Sequence, residues 1–163
     1  MFLAKSNPKE TLREHTEELR CRYEILKKSY GSYFDERIWI LLRYAVDYHD
    51  AGKAHEPFQL KILKALGEEV TLMKDLEVPH NYLSPFLLPE AVFALPKQDY
   101  QVLIQAIAFH HERNVEPDSQ LIKKALYEDL WPKLTDINEH LATEGANLAK
   151  PWSTSCLKSC SAS

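Results

Sequence analysis

The most apolar stretch of the chain runs from residue 38 to residue 46 and reads IWILLRYAV. Folded as a helix, this stretch leaves almost no polar face, so neighbouring helices must cover it. Asp35 is a suitable N-cap before it, and Gly52 is a suitable stop signal after it. The segment therefore predicts a helical bundle with this helix in its middle.

The rest of the chain also shows helical rather than strand periodicity. Asn7, Pro8 and Glu10 are typical of an N-cap, a first-turn proline and a capping-box acid, and they predict the start of a first helix. Prolines break residues 79–97 into short helical pieces. Further helical patterns occupy residues 57–66 (closed by Gly67), 98–112, 119–130 and the stretch from Pro132 to about Ala142. Because no useful length of strand-like alternation occurs, we expect an all-α fold.

Length and charge limit what such a fold can do. A chain of 163 residues that is 45% hydrophobic can bury one core, so we expect one domain at residues 1–150. Residues 151–163 have no periodicity and are typical of a disordered end or a truncated continuation. The net charge of −4 argues against a protein that grips nucleic acid by bulk electrostatics. A nucleic-acid role would need a local basic patch, a metal ion or a basic partner.

Three absences bear on the cellular location. No run of about 18 apolar residues occurs, so no membrane span is expected. The start, MFLAKSNPKE, lacks the apolar core of a signal peptide. The three cysteines form no disulfide framework, which suits a reducing compartment. These features predict a cytoplasmic protein.

Five of the seven histidines fall at or near the core-facing ends of successive predicted helices. They are His15, His49, His80, His110 and His111. Taken singly, each is more often a core or capping histidine with a hydrogen-bond partner than a metal ligand. Their coincidence is hard to attribute to packing, whereas His55 and His140 are expected at the surface.

Asp50 and the paired histidines strengthen the case for a metal site. Asp50 ends the apolar helix, where the helix dipole disfavours a carboxylate, so a nearby positive charge is expected. Lys53 or a metal ion would supply that charge. His110 and His111 are neighbouring imidazoles that each need a hydrogen bond when buried, and neutral imidazoles suit transition-metal ions.

With these residues in place, the chain resembles the metal-dependent phosphohydrolases of the HD superfamily. It is most similar to the HD nuclease domain of the CRISPR-associated type I helicase–nuclease. The motifs follow the family's order over residues 1–115. They are LREHTEEL with His15, HDAGK with His49, Asp50 and Lys53, PHNYLS with His80 and Ser84, and AFHHER with His110 and His111. The HDxGK form, a later single histidine and a histidine pair are together more specific than the HD pair alone.

The resemblance implies a two-metal site bridged by Asp50. One ion would take His15 and His49, and the other would take His80, His110 and His111. Members of the family add a downstream aspartate to the first ion. Asp136 is the candidate for that ligand in this chain, Asp118 and Asp129 are alternatives, and a truncated chain would lack it.

The implied chemistry is metal-assisted hydrolysis. Two bound ions clamp a phosphodiester and lower the pKa of a bound water, so no serine or cysteine nucleophile is needed. Asp50 and Lys53 are the predicted catalytic residues, and Lys53 would neutralise charge on the phosphate oxygens. Lys53, Ser84 and Arg113 are candidate substrate contacts. A histidine-rich site favours Mn, Fe, Co or Ni over Mg.

The resemblance also implies a substrate and partners. We expect a nuclease acting on single-stranded DNA in antiviral defence, together with a helicase subunit or fused helicase domain and, indirectly, a CRISPR surveillance complex. Tyr48, Tyr82, Phe109 and Arg113 lie beside the candidate ligands and are suited to stacking on a strand, or equally to packing. Two alternatives remain open: a phosphohydrolase of nucleotides or cyclic nucleotides, and a non-catalytic helical module that docks to a partner.

Overall fold

The computed structural model of the protein describes residues 1–111 and 118–141. Its helices are α1 (Leu12–Tyr30), α2 (Glu36–Tyr48), α3 (Glu56–Ala65), α4 (His80–Leu83), α5 (Lys97–Ala108), α6 (Ser119–Lys124) and α7 (Leu134–Leu141). One antiparallel hairpin, β1 (Leu3–Ser6) with β2 (Lys9–Thr11), precedes them. The predicted all-α fold is confirmed. The expected domain end at residue 150 and the tail 151–163 lie outside the described residues.

The first helix begins later than the sequence pattern predicted. Asn7 and Pro8 form the turn of the hairpin, and Thr11 is the N-cap of α1. The Thr11 hydroxyl accepts a hydrogen bond from the Glu14 N–H at 3.1 Å, and the Glu14 carboxylate accepts one from the Thr11 N–H at 2.8 Å. This reciprocal capping box satisfies two backbone donors at the helix start. The predicted start at Asn7 is therefore wrong, and Glu10 is free for another role.

Helix α2 begins where it was predicted to begin but is not buried on all sides. The Asp35 carboxylate accepts a hydrogen bond from the Arg37 N–H at 2.8 Å. Trp39 is buried, whereas Ile38 and Ile40 are 48% and 45% exposed. The helix packs on α1 and α5, which leaves part of its surface to solvent. The prediction of a central helix is wrong because hydrophobic content shows that a helix can be buried, not how many neighbours surround it.

Buried side chains from almost every element form one core. Its fully buried members include Leu12, Tyr48, Leu83, Leu87, Leu103, Ile107, Leu130, Ile137 and Leu141. Burying one such aliphatic side chain contributes about 1.5–3 kcal/mol. Among the described residues, none of the helices combines the length and the hydropathy that crossing a bilayer requires.

The second half of the described chain follows the predicted pattern with shifted ends. The proline-rich region forms short helical pieces, as expected. Gly67 follows α3 with a φ of 91°, a left-handed conformation that glycine adopts without steric cost. Helix α5 ends at Ala108 rather than at residue 112. Because α5 ends early, His110 and His111 lie just beyond it and are not held to the helix periodicity.

Candidate metal centre

Gly52 allows two backbone segments of the candidate site to meet. It lies in the 3-10 turn Ala51–Ala54, and α2 has already ended at Tyr48, so the predicted helix-stop role is wrong. A Cβ atom at Gly52 would lie 2.3 Å from the carbonyl oxygen of His80, a distance that no real side chain tolerates. The missing side chain therefore brings the segment after α2 against α4.

The hydroxyl of Ser84 joins the same two segments. It accepts a hydrogen bond from the Gly52 N–H at 2.9 Å and donates one to the His80 carbonyl at 2.9 Å. Ser84 is fully buried, and both of these hydrogen bonds are to backbone groups. Its role here is to position His80 beside the turn that follows Asp50.

One oxygen of the Asp50 carboxylate faces two histidines and a lysine. The Nε2 atoms of His15 and His49 lie 3.2 Å and 3.3 Å from Oδ2, and the ammonium group of Lys53 lies 2.7 Å from it. His15 comes from the second turn of α1, and His49 is the C-cap of α2. This side of the site therefore brings together the first two predicted ligands and the predicted catalytic lysine.

The other oxygen of Asp50 faces the remaining histidines. The Nε2 atoms of His80 and His110 lie 3.1 Å and 3.5 Å from Oδ1. The Nε2 atom of His111 lies 3.1 Å from that of His80. Two sets of candidate ligand atoms result, each with all atoms within 4.8 Å of one another: Asp50 with His80, His110 and His111, and Asp50 with His15 and His49. Asp50 belongs to both sets.

Electrostatics leave Asp50 ionised. The carboxylate is 3% exposed, and burial acts to raise its pKa, but interactions with the surrounding histidines outweigh this and hold the pKa well below its usual range. Burial lowers the pKa of His80. The site thus sets an anionic carboxylate beside an imidazole whose charged form burial disfavours.

The hydrogen bonds of the rings show which nitrogens are available for a metal ion. His49 Nδ1 lies 3.1 Å from the Val46 carbonyl oxygen, and His110 Nδ1 lies 2.6 Å from that of Ile107. A carbonyl oxygen only accepts, so both Nδ1 atoms carry protons, and in the neutral ring Nε2 presents its lone pair. Those lone pairs point towards a carboxylate, an arrangement that a cation between them stabilises.

Two buried atoms of the cluster are not satisfied by the protein itself. Asp50 Oδ1 and His110 Nε2 are buried and have no partner in hydrogen-bonding geometry. Buried polar atoms are rarely left in this state without an ion or a functional role. The donor set of imidazoles and one carboxylate fits divalent transition-metal ions.

The structure does not bring the predicted downstream aspartates to this cluster. Asp136 is exposed on α7 and belongs to neither set of candidate ligands. Asp118 caps α6 through the Gln120 N–H, and Asp129 is bonded to His55. Arg113, a predicted substrate contact, lies outside the described residues.

Two side chains near the site were not recognised from the sequence. His55 was expected at the surface but is buried and bonded to Asp129, a partner too far along the chain to be inferred from spacing. Glu10 was interpreted as a capping-box acid, yet its carboxylate lies 3.4 Å from His15 Nδ1. The alternative capping box at Thr11 and Glu14 was the available signal that Glu10 is free.

The aromatic candidates divide by exposure. Tyr48 is buried in the core, so stacking on a nucleic acid is ruled out for it. Phe109 is 66% exposed and directly precedes His110. Asn81 supports this end of the site from within, because its side-chain N–H donates to the Ala108 carbonyl at 2.6 Å and so ties α4 to the end of α5.

A family model described as "Cas3, HD domain" matches residues 5–161 of the chain. Among curated proteins and among solved structures, no match to the chain was found.

Proposed function

The chain belongs to the Cas3 HD-domain family of HD-type nucleases, and on that premise we propose that it hydrolyses phosphodiester bonds of single-stranded DNA with two divalent metal ions. The observation that carries the proposal is the convergence of five imidazoles from four segments on the single carboxylate of Asp50. Lys53 offsets charge at Oδ2 of that carboxylate, and a bound cation would supply the partner that the buried Oδ1 lacks.

Each side of Asp50 has its own proposed ligands. Asp50, His15 and His49 would hold one ion, and Asp50, His80, His110 and His111 would hold the other. When bound, such ions lower the pKa of a bound water and polarise the phosphoryl group. Imidazole ligands favour Mn, Fe, Co or Ni, whereas Mg prefers oxygen ligands.

Lys53 is the proposed residue that acts on the substrate. It is buried, its ammonium group is 2.7 Å from Asp50 Oδ2, and it lies 5.7 Å from the centre of the Phe58 ring. Once metal ions compensate Asp50, the ammonium group is placed to neutralise a non-bridging phosphate oxygen as charge builds in the transition state.

The surface around the site supports a single-stranded substrate delivered by a partner. Exposed Phe109 offers a ring on which a base can stack next to the proposed metal ligands. The net charge of −4 provides no general attraction for a phosphate backbone. We therefore propose that a helicase, as a subunit or a fused domain, supplies the strand in the CRISPR context of the family.

Incubation of the Mn- or Co-loaded protein with circular single-stranded DNA, linear single-stranded DNA and mononucleotides tests the activity. We expect cleavage of DNA. Loss of the circular strand would indicate internal cutting, and loss of the linear strand alone would indicate cutting from an end. Asp50→Asn is expected to be inactive, whereas Asp129→Asn, which changes a partly buried carboxylate outside the cluster, retains activity. Hydrolysis of nucleotides with both DNA forms intact would replace the nuclease by a nucleotide phosphohydrolase. Inactivity on every substrate would support a non-catalytic module.

A further inference from the structure

Glu10 contacts the side of the His15 ring that faces away from Asp50. Its Oε1 lies 3.4 Å from His15 Nδ1, while His15 Nε2 lies 3.2 Å from Asp50 Oδ2. The Glu10 and His15 side chains are 13% and 14% exposed. The three side chains therefore lie in a row, carboxylate, imidazole and carboxylate, running inward from the hairpin.

His15 differs from the other candidate ligands in how its Nδ1 is supported. His49 and His110 direct Nδ1 to carbonyl oxygens three residues earlier in the chain. His15 Nδ1 is buried and has no partner in ideal hydrogen-bonding geometry. A separation of 3.4 Å is somewhat longer than a normal hydrogen bond, and such contacts tighten when the functional ligand binds.

The charge on Glu10 makes it a stronger acceptor than a carbonyl. Hydrogen bonds to an ionised carboxylate are charge-assisted and about twice as strong as neutral ones. Lys5 takes the other oxygen, with Nζ 2.7 Å from Oε2. The two oxygens of Glu10 thus have separate partners, and Oε1 is directed to the histidine.

We propose that Glu10 is the positioning residue of the His15 ligand. Its carboxylate accepts a hydrogen bond from the Nδ1–H group, which leaves Nε2 as the metal-binding nitrogen. The carboxylate also adds negative charge to the side of the site formed by His15 and His49. This inference rests on the proposed metal-dependent function. Among the described residues, the candidate downstream aspartates lie elsewhere, so Glu10 is the second carboxylate on this side.

The hairpin holds Glu10 in place through Gln59. The Gln59 amide donates to the Leu3 carbonyl at 2.9 Å and to the Lys53 carbonyl at 2.6 Å, and it accepts from the Leu3 N–H at 2.8 Å. Glu10 is paired with Lys5 in the strand register. One amide therefore fixes the hairpin against the turn that carries Lys53, and the hairpin presents Glu10 to His15.

Titration with Co²⁺ tests the role of Glu10. Wild-type protein, Glu10→Gln and Lys5→Met are compared by calorimetry and by the visible absorption of bound cobalt, with the unfolding midpoint of each metal-free protein as a check on folding. We expect Glu10→Gln to lower the affinity for one of the two ions by about 10–100-fold, as happens for other residues that hydrogen-bond to metal-binding histidines. The other ion is unaffected. Lys5→Met removes the ion pair but keeps the carboxylate, so its affinities stay close to wild type.

Three outcomes would overturn the inference. Unchanged affinities in Glu10→Gln would show that His15 binds without this carboxylate. Equal losses in Glu10→Gln and Lys5→Met would assign the effect to the hairpin ion pair. A folded wild-type protein that binds no cobalt would end the proposed function and this inference together. If Glu10→Gln does not fold, Glu10→Asp is used instead, because the shorter side chain moves the carboxylate away from His15 and keeps its charge. The inference then requires that Glu10→Asp lowers the Co²⁺ affinity of one of the two sites.

Discussion

Two buried clusters of histidine and carboxylate flank the turn Ala51–Ala54, and they are built in opposite ways. Asp50 precedes the turn and His55 follows it, and each is only 3% exposed. Around Asp50, ring nitrogens crowd one carboxylate, and buried atoms are left without hydrogen-bond partners. Around His55, both ring nitrogens have partners in hydrogen-bonding geometry.

The His55 cluster is a closed ion pair. His55 Nδ1 lies 2.7 Å from Asp129 Oδ2, and Nε2 lies 3.1 Å from the Leu76 carbonyl oxygen. Both ring nitrogens therefore face oxygen acceptors. Asp129 also accepts from the Glu56 N–H at 2.7 Å and pairs with Lys133. Complete hydrogen bonding therefore distinguishes the structural cluster from the candidate metal site, whereas burial and the presence of histidine are common to both.

The largest effect is expected from exchanging a carboxylate for an amide in the Asp50 cluster. Asp50→Asn removes the charge shared by both proposed ions, so bound metal should fall to near background and nuclease activity should fall by at least about 10³-fold. Asp129→Asn is the matched change in the closed cluster and should keep wild-type metal content. Elemental analysis after loading and desalting measures both. If Asp50→Asn retained its metal, the Asp50 carboxylate would not be a required ligand, and the two clusters would not differ in metal binding as proposed.

Asp129→Asn should also lower the stability of the metal-free protein. The substitution removes the charge that His55 and Lys133 contact, which costs about 1–2 kcal/mol after allowance for solvent screening. Urea unfolding of the metal-free proteins gives the free energy of unfolding for each variant. A loss below about 0.5 kcal/mol, within the range of an ordinary surface substitution, would mean that the closed cluster does not hold α3 to the segment that carries Asp129.

The sequence was sufficient to predict the Asp50 cluster but not the closed one. His15, His49, His80, His110 and His111 could be singled out because motif spacing and helix periodicity are local properties of the chain. The partner of His55 lies 74 residues away, and nothing local marks it. Tertiary pairing of this kind decides burial, so His55 was wrongly expected at the surface.

The errors near the N-terminus have the same origin. Asn7, Pro8 and Glu10 satisfy the local rules for a helix start, but Thr11 and Glu14 satisfy them as well, and local rules do not rank the two. The hairpin is fixed by Gln59, more than 50 residues from Leu3 in sequence. The sequence pattern alone is compatible with both helix starts, and the long-range hydrogen bonds of Gln59 select one of them.

Acidification should weaken the closed cluster within a defined pH window. The pKa of Asp129 is lowered to about 2 from 3.8, because bonds to His55, Lys133 and the Glu56 N–H outweigh burial, which acts to raise it. A depressed folded pKa stabilises the fold above the unfolded value and loses that effect as pH falls from 3.8 towards 2. The contribution is ~1–2 kcal/mol after allowance for solvent screening.

Urea unfolding of metal-free wild type and Asp129→Asn across this window isolates the contribution. The stability difference between the two proteins should narrow as the pH falls, because protonation removes the same charge that the substitution removes. A difference that stays constant down to pH values near the lowered pKa would show that the carboxylate is not the stabilising group.

The smallest effect is expected from Lys133, the partially exposed member of the closed cluster. Its side chain is 32% exposed, and an ion pair at that exposure contributes less than about 1 kcal/mol. Lys133→Met keeps the aliphatic stem that packs on the surface. Asp129 would still be bonded to His55 and to the Glu56 N–H, so urea unfolding should show a loss well below that of Asp129→Asn. Added salt should shrink the Lys133 contribution and leave the His55 contribution nearly unchanged, since buried pairs are screened less. If the two variants lost equal stability, the exposed Lys133 rather than the bond to His55 would account for the stabilisation by this cluster. The contrast between the two clusters would then depend on the Asp50 cluster alone.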